Sequence, residues 1–519
     1  MKKLIISLIL AFAIAFAGLL TVNVGSASAA LVFHSGFEGG STFEWSGSGT
    51  GTLSIQTGIK MTGAYAMRCN ETMTTGYVTD TTATVRRMTF YLYIGTAPSV
   101  LTTIVGSDTS GGRVRLTTAR YLTLYDGGTL RGTSTTQLST ATWYRISIGI
   151  AGGATTDWLA IDGTKEIQNV TVSALGANRI GVITMATTNL YFDDVAIDNT
   201  FSTTDLGNIR VLLSLPNAAG NYSQFDTPTP NATHYLNVDD APGAISDADY
   251  NQQAARAAAY DTYHIQDAST IGIGTDDTIN ATRYLGRMMR GGGGAASHHL
   301  AVRDNGSDYT TAVAATTSFA WYWRYDAVMP SDSQPWTQAR FNSFEVGAYH
   351  GNGGQDTYIS ACMVMVAYTP APNIANAPTS KDFGVVIEDS TNWSNGTTPP
   401  GPTITDNVCY FQVTNNSYAP INITISATNF SGGASVWTLI SGSPTGLTDQ
   451  VRMTAYRSGD SLVGGGLILT NSAQPFISAL GATPSINNTK KWEIELEAGT
   501  FSEYGVQKTS TVTLTATYS

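Results

Sequence analysis

Short runs of alternating apolar and polar residues, separated by glycine-containing turns, constrain the fold of this chain most strongly. Met88–Ile94, Tyr121–Tyr125 and Trp143–Ile150 alternate with the period of two that turns one face of a strand inward. The segments Asp126–Gly128 and Asp162–Gly163 follow such runs and are typical of tight hairpin turns. No segment with a helical period interrupts them in this part of the sequence. The pattern therefore predicts an all-β protein.

Composition supports this fold class and excludes one class of partner. The chain has 519 residues, which is enough for several domains that each bury a core. Only 13% of the residues are charged, whereas 42% are hydrophobic, so the composition is not that of a disordered chain. The net charge is −11 and no block of Lys and Arg occurs. We therefore expect no nucleic-acid partner.

The N-terminus predicts export from the cytoplasm. Lys2 and Lys3 precede the apolar segment Leu4–Leu20, and the small residues Gly25–Ala30 follow it. This order is that of a secretory signal peptide, and we expect residues 1–29 to be removed. The alternative is an uncleaved anchor, because roughly 17–20 apolar residues just span a bilayer. Either way the remaining chain is secreted or lies at the cell surface, and it meets a membrane only through an uncleaved signal peptide.

Three tandem β-sandwich modules are expected after the signal peptide, the first over residues 31–200. It opens with Phe33–Gly40, continues with Gly63–Arg68 and closes with Leu190–Asp198. These three segments resemble the frame of concanavalin A-like and laminin-G-like jelly rolls and of related carbohydrate-binding modules. The resemblance covers about a third of the chain. It implies a jelly roll, and extracellular or cell-wall glycans as the partner.

Two further modules are expected from the remaining sequence. Residues 205–369 are similar to jelly rolls of phage-particle proteins and uncharacterised surface proteins, a resemblance that implies no activity. The Pro-rich segment 370–380 has the composition of an extended linker. Residues 381–519 resemble an immunoglobulin-like sandwich of secreted surface proteins.

Acidic residues of the first module predict a structural calcium ion. In the carbohydrate-binding modules that the first module resembles, an acidic residue near the first strand and one on the last strand hold calcium. The matching residues are Glu38 and the pair Asp193 and Asp194. Carboxylates and backbone carbonyls are the hard oxygen ligands that calcium requires. The alternative is that Asp193 and Asp194 only end a strand and bind neighbouring turns.

Aromatic residues of the same module are candidates for a sugar-binding surface. A pyranose ring stacks on Tyr or Trp, and Tyr65, Trp143 and Trp158 are the candidates here. The alternative is that these rings belong to the core, as Trp does in many sandwiches.

Three glutamates near the C-terminus raise a catalytic alternative. Glu493, Glu495 and Glu497 alternate with apolar residues and are similar to the Glu-x-Asp-x-Glu motif of the laminarinase group of glycoside hydrolases. That resemblance implies Glu493 as nucleophile and Glu497 as acid/base. The middle residue departs from the motif, and the module is small for such a cleft. We therefore expect an ordinary strand with Trp492, Ile494 and Leu496 inward and the glutamates facing water.

These observations together predict a non-enzymatic extracellular protein with no catalytic residues. The favoured function is binding or adhesion to carbohydrate through the first module. The alternative is a purely structural surface, appendage or virion-associated protein that self-associates. A glycoside hydrolase of the laminarinase type is the distant alternative.

Overall fold

The chain is an almost entirely β protein in the computed structural model, which confirms the predicted fold class. Strands account for 54% of the chain and helices for 2%. The structure describes residues 31–49, 51–80, 85–254, 257–292, 297–352, 355–381, 383, 386, 388–394, 396, 403–407, 409–417, 420–462, 465–481, 488–503 and 507–518. The predicted signal peptide, residues 1–29, lies outside them. No helix among these residues has the length and apolarity needed to cross a membrane.

The first module is a sandwich whose two halves share long strands. Its strands are β1 (Leu31–Ser35), β2 (Gly47–Ser48), β3 (Leu53–Gln56), β4 (Ala66–Thr79), β5 (Arg87–Thr96), β6 (Thr102–Gly106), β7 (Gly112–Leu116), β8 (Tyr121–Asp126), β9 (Thr129–Gln137), β10 (Trp143–Gly149), β11 (Asp157–Ile161), β12 (Thr164–Val170) and β13 (Arg179–Asp198). The hydrogen-bonded order is β12-β11-β10-β5-β13-β6-β7-β8-β9, with β1 and β4 also pairing with β13, and β2 and β3 with β4. The C-terminal part of β13 pairs with β5 and its N-terminal part contacts β6, so β13 continues from one half into the other.

Strict alternation builds the core of this module. Phe90, Leu92 and Ile94 of β5 are fully buried against residues of the opposite half such as Val114 and Leu124. Tyr91 and Tyr93 alternate with them and therefore occupy the outer face of the sheet.

The second module is a sandwich of two separate antiparallel sheets. Its elements are β14 (Arg210–Ser214), β15 (Pro216–Ser223), β16 (Thr227–Thr229), a 3-10 helix (His234–Asn237), β17 (Tyr250–Gln253), β18 (Ala259–Ile265), β19 (Thr278–Arg290), β20 (His298–Asp304), β21 (Ser307–Val313), β22 (Ala320–Asp326), α1 (Gln338–Asn342), β23 (Glu345–His350) and β24 (Thr357–Thr369). One sheet has the order β16-β17-β24-β19-β22, with β14 beside β24, and the other has the order β15-β18-β23-β20-β21. Tyr284, Phe341 and Phe344 are among the fully buried residues between them.

The third module is also a sandwich of two sheets. Its strands are β25 (Ile374–Ala377), β26 (Thr391–Trp393), β27 (Phe411–Asn415), β28 (Ile421–Ala427), β29 (Thr438–Leu439), β30 (Gln450–Arg457), β31 (Leu467–Ile468), β32 (Gln474–Leu480), β33 (Thr489–Ala498) and β34 (Val512–Tyr518). The larger sheet follows β25-β27-β33-β30-β29, and the smaller one follows β32-β28-β34. β25 lies in the segment expected to be a linker, where it pairs with β27. The phage-protein and immunoglobulin resemblances of the second and third modules stay predictions.

The first two modules share an apolar seam. Leu31 and Ala196 of the first module form one buried cluster with Ile209, Ala281 and Ala367 of the segment that follows. Beside this cluster, Phe43 of the first module stacks on Trp321 of β22, with ring centroids 4.2 Å apart. The two modules therefore bury side chains against each other instead of being joined only by the connecting chain.

One arginine crosses this seam while fully desolvated. Arg283 of β19 is 2% exposed and donates to the carbonyl oxygens of His34 and Glu44, at 3.4 and 2.7 Å. Its guanidinium lies 4.7 Å from the ring centroid of Phe33. Burial lowers the pKa of Arg283 to about 10, so the group is still charged at neutral pH.

Arg283→Ala should destabilise the protein strongly. The substitution leaves two buried carbonyl oxygens without their donor and removes a cation that lowers the pKa of the buried Glu44 carboxyl. A buried acceptor left unsatisfied costs about 1–3 kcal/mol. Scanning calorimetry should show a clearly lower melting temperature. Arg131→Ala, which removes a half-exposed pair with Asp126, is the control and should cost less than about 1 kcal/mol. Equal melting temperatures for both variants would contradict this account of the seam.

Candidate functional site

The outer face of the sheet β12-β11-β10-β5-β13 is divided into a covered part and an open part. The covering segment is the connection from β13 to β14, residues 199–209. Within it, Asp205 pairs with Arg145 of β10, and the carbonyl of Ser202 accepts a hydrogen bond from Trp158 Nε1 at 3.0 Å. Tyr91 donates its hydroxyl proton to Asn208. This connection therefore closes the part of the face formed by Tyr91, Arg145 and Trp158.

Trp158, a predicted sugar-binding residue, lies under this cover. Its side chain is 1% exposed, and the ammonium group of Lys165 lies 5.4 Å from the ring centroid. The ring also fills the space above Gly149, because a Cβ there would lie 2.3 Å from it. In this arrangement Trp158 holds the connecting segment and presents no surface to a ligand.

Trp143, another predicted residue, lies in the open part of the face and is not alone there. It pairs directly across the strands with Tyr93, and Tyr93 pairs with Tyr191 of β13. The ring centroids are 5.4 Å apart in both contacts. Trp143 and Tyr93 are half-buried, whereas Tyr191 is 5% exposed. We call these three residues the aromatic row.

Polar side chains continue this row on the next strands. Arg68 of β4 pairs with Tyr191, and its guanidinium lies 5.7 Å from the centroid of that ring. Its Nε donates to Asn189 Oδ1 at 3.0 Å, and Asn189 Nδ2 donates to the Tyr191 hydroxyl at 3.3 Å. Arg68 and Asn189 are both half-buried. The open face therefore combines stacking surface with hydrogen-bond donors and acceptors, which is the chemistry of many ligand sites.

Tyr65, the remaining predicted aromatic residue, lies at the seam with the second module. Its hydroxyl donates to the carbonyl oxygen of Pro242 at 3.1 Å. Tyr65 therefore contacts the neighbouring module.

The predicted calcium residues form a buried acidic cluster. A β-bulge in the pairing between Asp193 and Ala196 lets the consecutive carboxylates face different neighbours. Asp193 accepts from the backbone N–H of Met61 at 2.8 Å, and Asp194 accepts from that of Val211 at 2.8 Å. Glu38 accepts from the backbone N–H of Ala64 at 2.8 Å.

Charge in this cluster is only partly compensated. Arg210 pairs with Asp194 at 3.2 Å. Burial, together with the nearby carboxylates, raises the pKa of Glu38 to about 8 and that of Asp193 well above its usual value. The pKa of Asp194 is raised by burial as well, although Arg210 opposes the shift. Glu38 therefore keeps its proton at neutral pH unless a further cation is supplied.

Backbone N–H groups already bind several oxygens of this cluster. Asp193, Glu38 and Asp194 each accept at least one of them. In the part of the chain that the structure describes, no group of three or more His, Cys, Asp or Glu residues could hold a metal ion. Calcium at Glu38, Asp193 and Asp194 stays a prediction.

The three C-terminal glutamates have separate partners. Glu493 is fully buried, where it accepts from Ser394 Oγ and, at 2.6 Å, from the backbone N–H of Tyr410. Glu495 accepts from the Tyr456 hydroxyl at 2.9 Å, and Glu497 pairs with Arg452. The inward side of β33 is as expected, since Trp492, Ile494 and Leu496 belong to the core. The expectation that all three glutamates face water is wrong, because Glu493 is buried and bound by Ser394 and the backbone of Tyr410.

Sequence reasoning missed most of the aromatic row. The alternation of Met88–Ile94 already puts Tyr93 on the face opposite Phe90 and Leu92, so a signal for that residue was present. No sequence pattern indicated the other members, Tyr191, Asn189 and Arg68. Their position beside Tyr93 depends on the pairing of β4 with β13 and of β13 with β5.

Comparison with known proteins finds similarity in structure only. Neither a protein-family model nor a curated protein matches the chain. Domain 4 of AbnA, an extracellular GH43 arabinanase from Geobacillus stearothermophilus solved with arabinotriose, aligns with 33% of this chain and 94% of its own, at 16% identity and a TM-score of 0.26. The catalytic domain of a glycoside hydrolase family 131 protein from Coprinopsis cinerea aligns with 31% of this chain and 84% of its own, at 13% identity and a TM-score of 0.24.

A two-domain structure aligns over a longer part of the chain. The tandem CBM22-1–CBM22-2 domains of Paenibacillus barcinonensis Xyn10C cover 66% of this chain and 98% of their own, at 8% identity and a TM-score of 0.20. Identities and TM-scores this low describe a general likeness of β sandwiches and assign no substrate to the chain.

The expectation that this protein is not an enzyme is contradicted. The similar structures include the GH131 catalytic domain and a GH54 arabinofuranosidase.

Stability in EDTA should fall as the pH rises. Because Glu38 has a pKa of about 8 in the folded protein and about 4.5 when exposed, the folded state holds this proton more tightly. The resulting stabilisation is present at low pH and is lost as the pH rises from about 4.5 to 8. We expect the melting temperature of the wild type to drop by roughly 5 °C between pH 5.5 and 8.5.

Glu38→Gln should reduce this pH dependence, and Asp276→Asn on an exposed loop is the control. Added calcium should raise the melting temperature at pH 8.5 in the wild type but not in Glu38→Gln if the cluster holds the ion. An equal calcium effect in both proteins would contradict calcium binding at Glu38. A pH-independent melt would contradict the buried, protonated state of that residue.

Proposed function

We propose that this protein is exported from the cytoplasm and binds carbohydrate outside it through the aromatic row of its first module. The observation that carries the proposal is that Trp143 and Tyr93 stay uncovered on a face whose other half is closed by residues 199–209. A contiguous group of aromatic side chains left open to solvent marks a candidate interaction surface.

The chemistry of the row favours a saccharide over other ligands. Aromatic rings offer apolar area to the C–H groups of a sugar ring, and their half-buried edges lie beside polar groups that can bind hydroxyls. Arg68 and Asn189 supply such donors and acceptors at the end of the row formed by Tyr191. A single guanidinium beside the rings, in a protein of net charge −11, does not form the basic groove of a nucleic-acid site.

Carbohydrate as the ligand class agrees with the names of two of the similar structures. One is a domain solved with arabinotriose, and another is a tandem of carbohydrate-binding modules from a bacterial protein. These names support the choice of probes but do not assign the ligand.

Affinity electrophoresis of the purified protein in gels containing arabinan, xylan or β-1,3-glucan tests the proposal. At least one polysaccharide should retard the wild type. Trp143→Ala and Tyr93→Ala should weaken that binding about tenfold each, because each removes one stacking surface. Tyr121→Ala, a half-buried tyrosine of β8 in the other half of the sandwich, is the matched control and should bind normally.

Three results would contradict the proposal. One is the absence of retardation by all the polysaccharides, and another is unchanged binding by Trp143→Ala and Tyr93→Ala. The third is an equal loss with Tyr121→Ala, which would indicate a general effect on folding.

A further inference from the structure

The second module carries an aromatic cluster of its own on the outer face of the sheet β15-β18-β23-β20-β21. Tyr260 of β18 pairs directly with Tyr349 of β23, and Tyr349 pairs with His299 of β20. Tyr222 of β15 stacks on Tyr260. Ring centroids are 5.2 Å apart for Tyr222 and Tyr260, 4.3 Å for Tyr260 and Tyr349, and 5.3 Å for Tyr349 and His299.

All four rings lie on the solvent side of the sheet. The residues that alternate with them, such as Tyr263, Ala348 and Leu300, are buried in the core of the module. Tyr222, Tyr260, Tyr349 and His299 are each half-buried, and they follow one another across four strands. The sheet therefore presents a continuous aromatic surface on its outer face, and these rings do not pack in the core of the module.

A row of charged and polar groups runs parallel to the rings on the same face. Each member of this row is paired with the next across neighbouring strands: His264 of β18 with Glu345 of β23, Glu345 with Arg303 of β20, and Arg303 with Asp308 of β21. Arg303 donates to Asp308 Oδ1 at 2.6 Å, and His264 Nε2 lies 3.7 Å from Glu345 Oε1. The two rows are four residues apart along each strand, a distance of about 13 Å.

Tyr222 connects the two rows. Its ring stacks on Tyr260, and its hydroxyl donates to Asp308 Oδ2 at 2.9 Å. The guanidinium of Arg303 lies 5.2 Å from the same ring. These contacts hold the Tyr222 ring in position, and Tyr260 and Tyr349 stay half-buried, so the surface is preorganised before any ligand arrives.

The charges in the polar row select against strongly charged ligands. Acidic and basic side chains alternate in it, so neither a polyanion nor a polycation meets a uniform field of the opposite sign. Burial lowers the pKa of His299, which keeps that ring uncharged at neutral pH and available as aromatic surface.

Glu345 is 6% exposed and accepts from the backbone N–H of Asn221 at 2.8 Å. The half-buried residues His264, Arg303 and Asp308 are therefore the members of the row that can meet a ligand. A ligand with apolar C–H faces and many hydroxyl groups matches the rings and these groups, because carboxylates accept from hydroxyls and guanidinium groups donate to them.

We propose that the aromatic cluster of Tyr222, Tyr260, Tyr349 and His299, with the adjacent polar row, is a second saccharide-binding surface. The inference rests on the proposed function only for the class of ligand, since the two surfaces share no residue. Two surfaces on one chain allow a polysaccharide long enough to reach both to be held at two sites. Such bivalent binding raises the apparent affinity for a polymer far above that for a short oligosaccharide.

Isothermal titration of the full protein with arabinotriose and xylotriose tests the second surface directly. The wild type should bind two molecules of one of these trisaccharides per chain. Tyr260→Ala/Tyr349→Ala should bind one, and Trp143→Ala/Tyr93→Ala should also bind one. Either double variant should lose at least about tenfold in affinity for the corresponding polysaccharide, arabinan or xylan, because only one contact is left. Tyr250→Ala, a half-buried tyrosine in the other sheet of the second module, is the control.

The outcomes separate the two proposals. If Tyr260→Ala/Tyr349→Ala changes neither stoichiometry nor affinity while Trp143→Ala/Tyr93→Ala abolishes binding, the second surface is overturned and the first stands. The reverse result overturns the first surface and supports the second. Absence of binding by the wild type overturns both. If the double variant of the second module melts more than about 5 °C below the wild type, Tyr349→Ala alone replaces it in the same titration.

Discussion

The ion pair between Asp194 and Arg210 determines how the first two modules are joined. Asp194 lies in a bulge of the last strand of the first module, and Arg210 opens the first strand of the second. The guanidinium of Arg210 also lies 4.0 Å from the ring centroid of Tyr91 on the outer face of the first sheet. Between these two ends, residues 199–209 lie across that face, where Asp205 binds Arg145 and the Ser202 carbonyl binds Trp158. The course of this connection decides which aromatic residues are covered and which stay open.

Both proposed surfaces follow one design rule of antiparallel sheets. In each case aromatic residues lie on the outer face of the sheet, between residues that point into the core. They are paired directly across neighbouring strands, so that their rings are in contact. Tyr93 beside Trp143 and Tyr349 beside Tyr260 are the central contacts. The rings are supported by a rigid sandwich rather than by loops, which limits the conformational entropy lost when a ligand binds. Placement on two packed modules then makes bivalent binding to one polymer feasible.

Alternation along single strands was enough to predict part of this structure. It placed Trp492, Ile494 and Leu496 in the core, and the turn residues supported the all-β class. It could not place Glu493, since a strand has two faces and the sequence does not show whether a later or earlier segment covers the second one. Trp143 and Trp158 show the same effect, because they lie on the same face of neighbouring strands. Trp143 is open to solvent, whereas Trp158 is covered and only 1% exposed.

The sequence by itself determined the fold class, the apolar face of each strand and the residues able to stack on a sugar or carry charge. These properties depend on residue type and on a period of two, both of which are local. Only the tertiary structure decided that Tyr93, Trp143 and Tyr191 form one row, that Tyr222 reaches Asp308, and that Glu38, Asp193 and Asp194 are buried together. Strand order, register and the packing of one module on another bring these residues together from distant parts of the chain, and no local pattern encodes them.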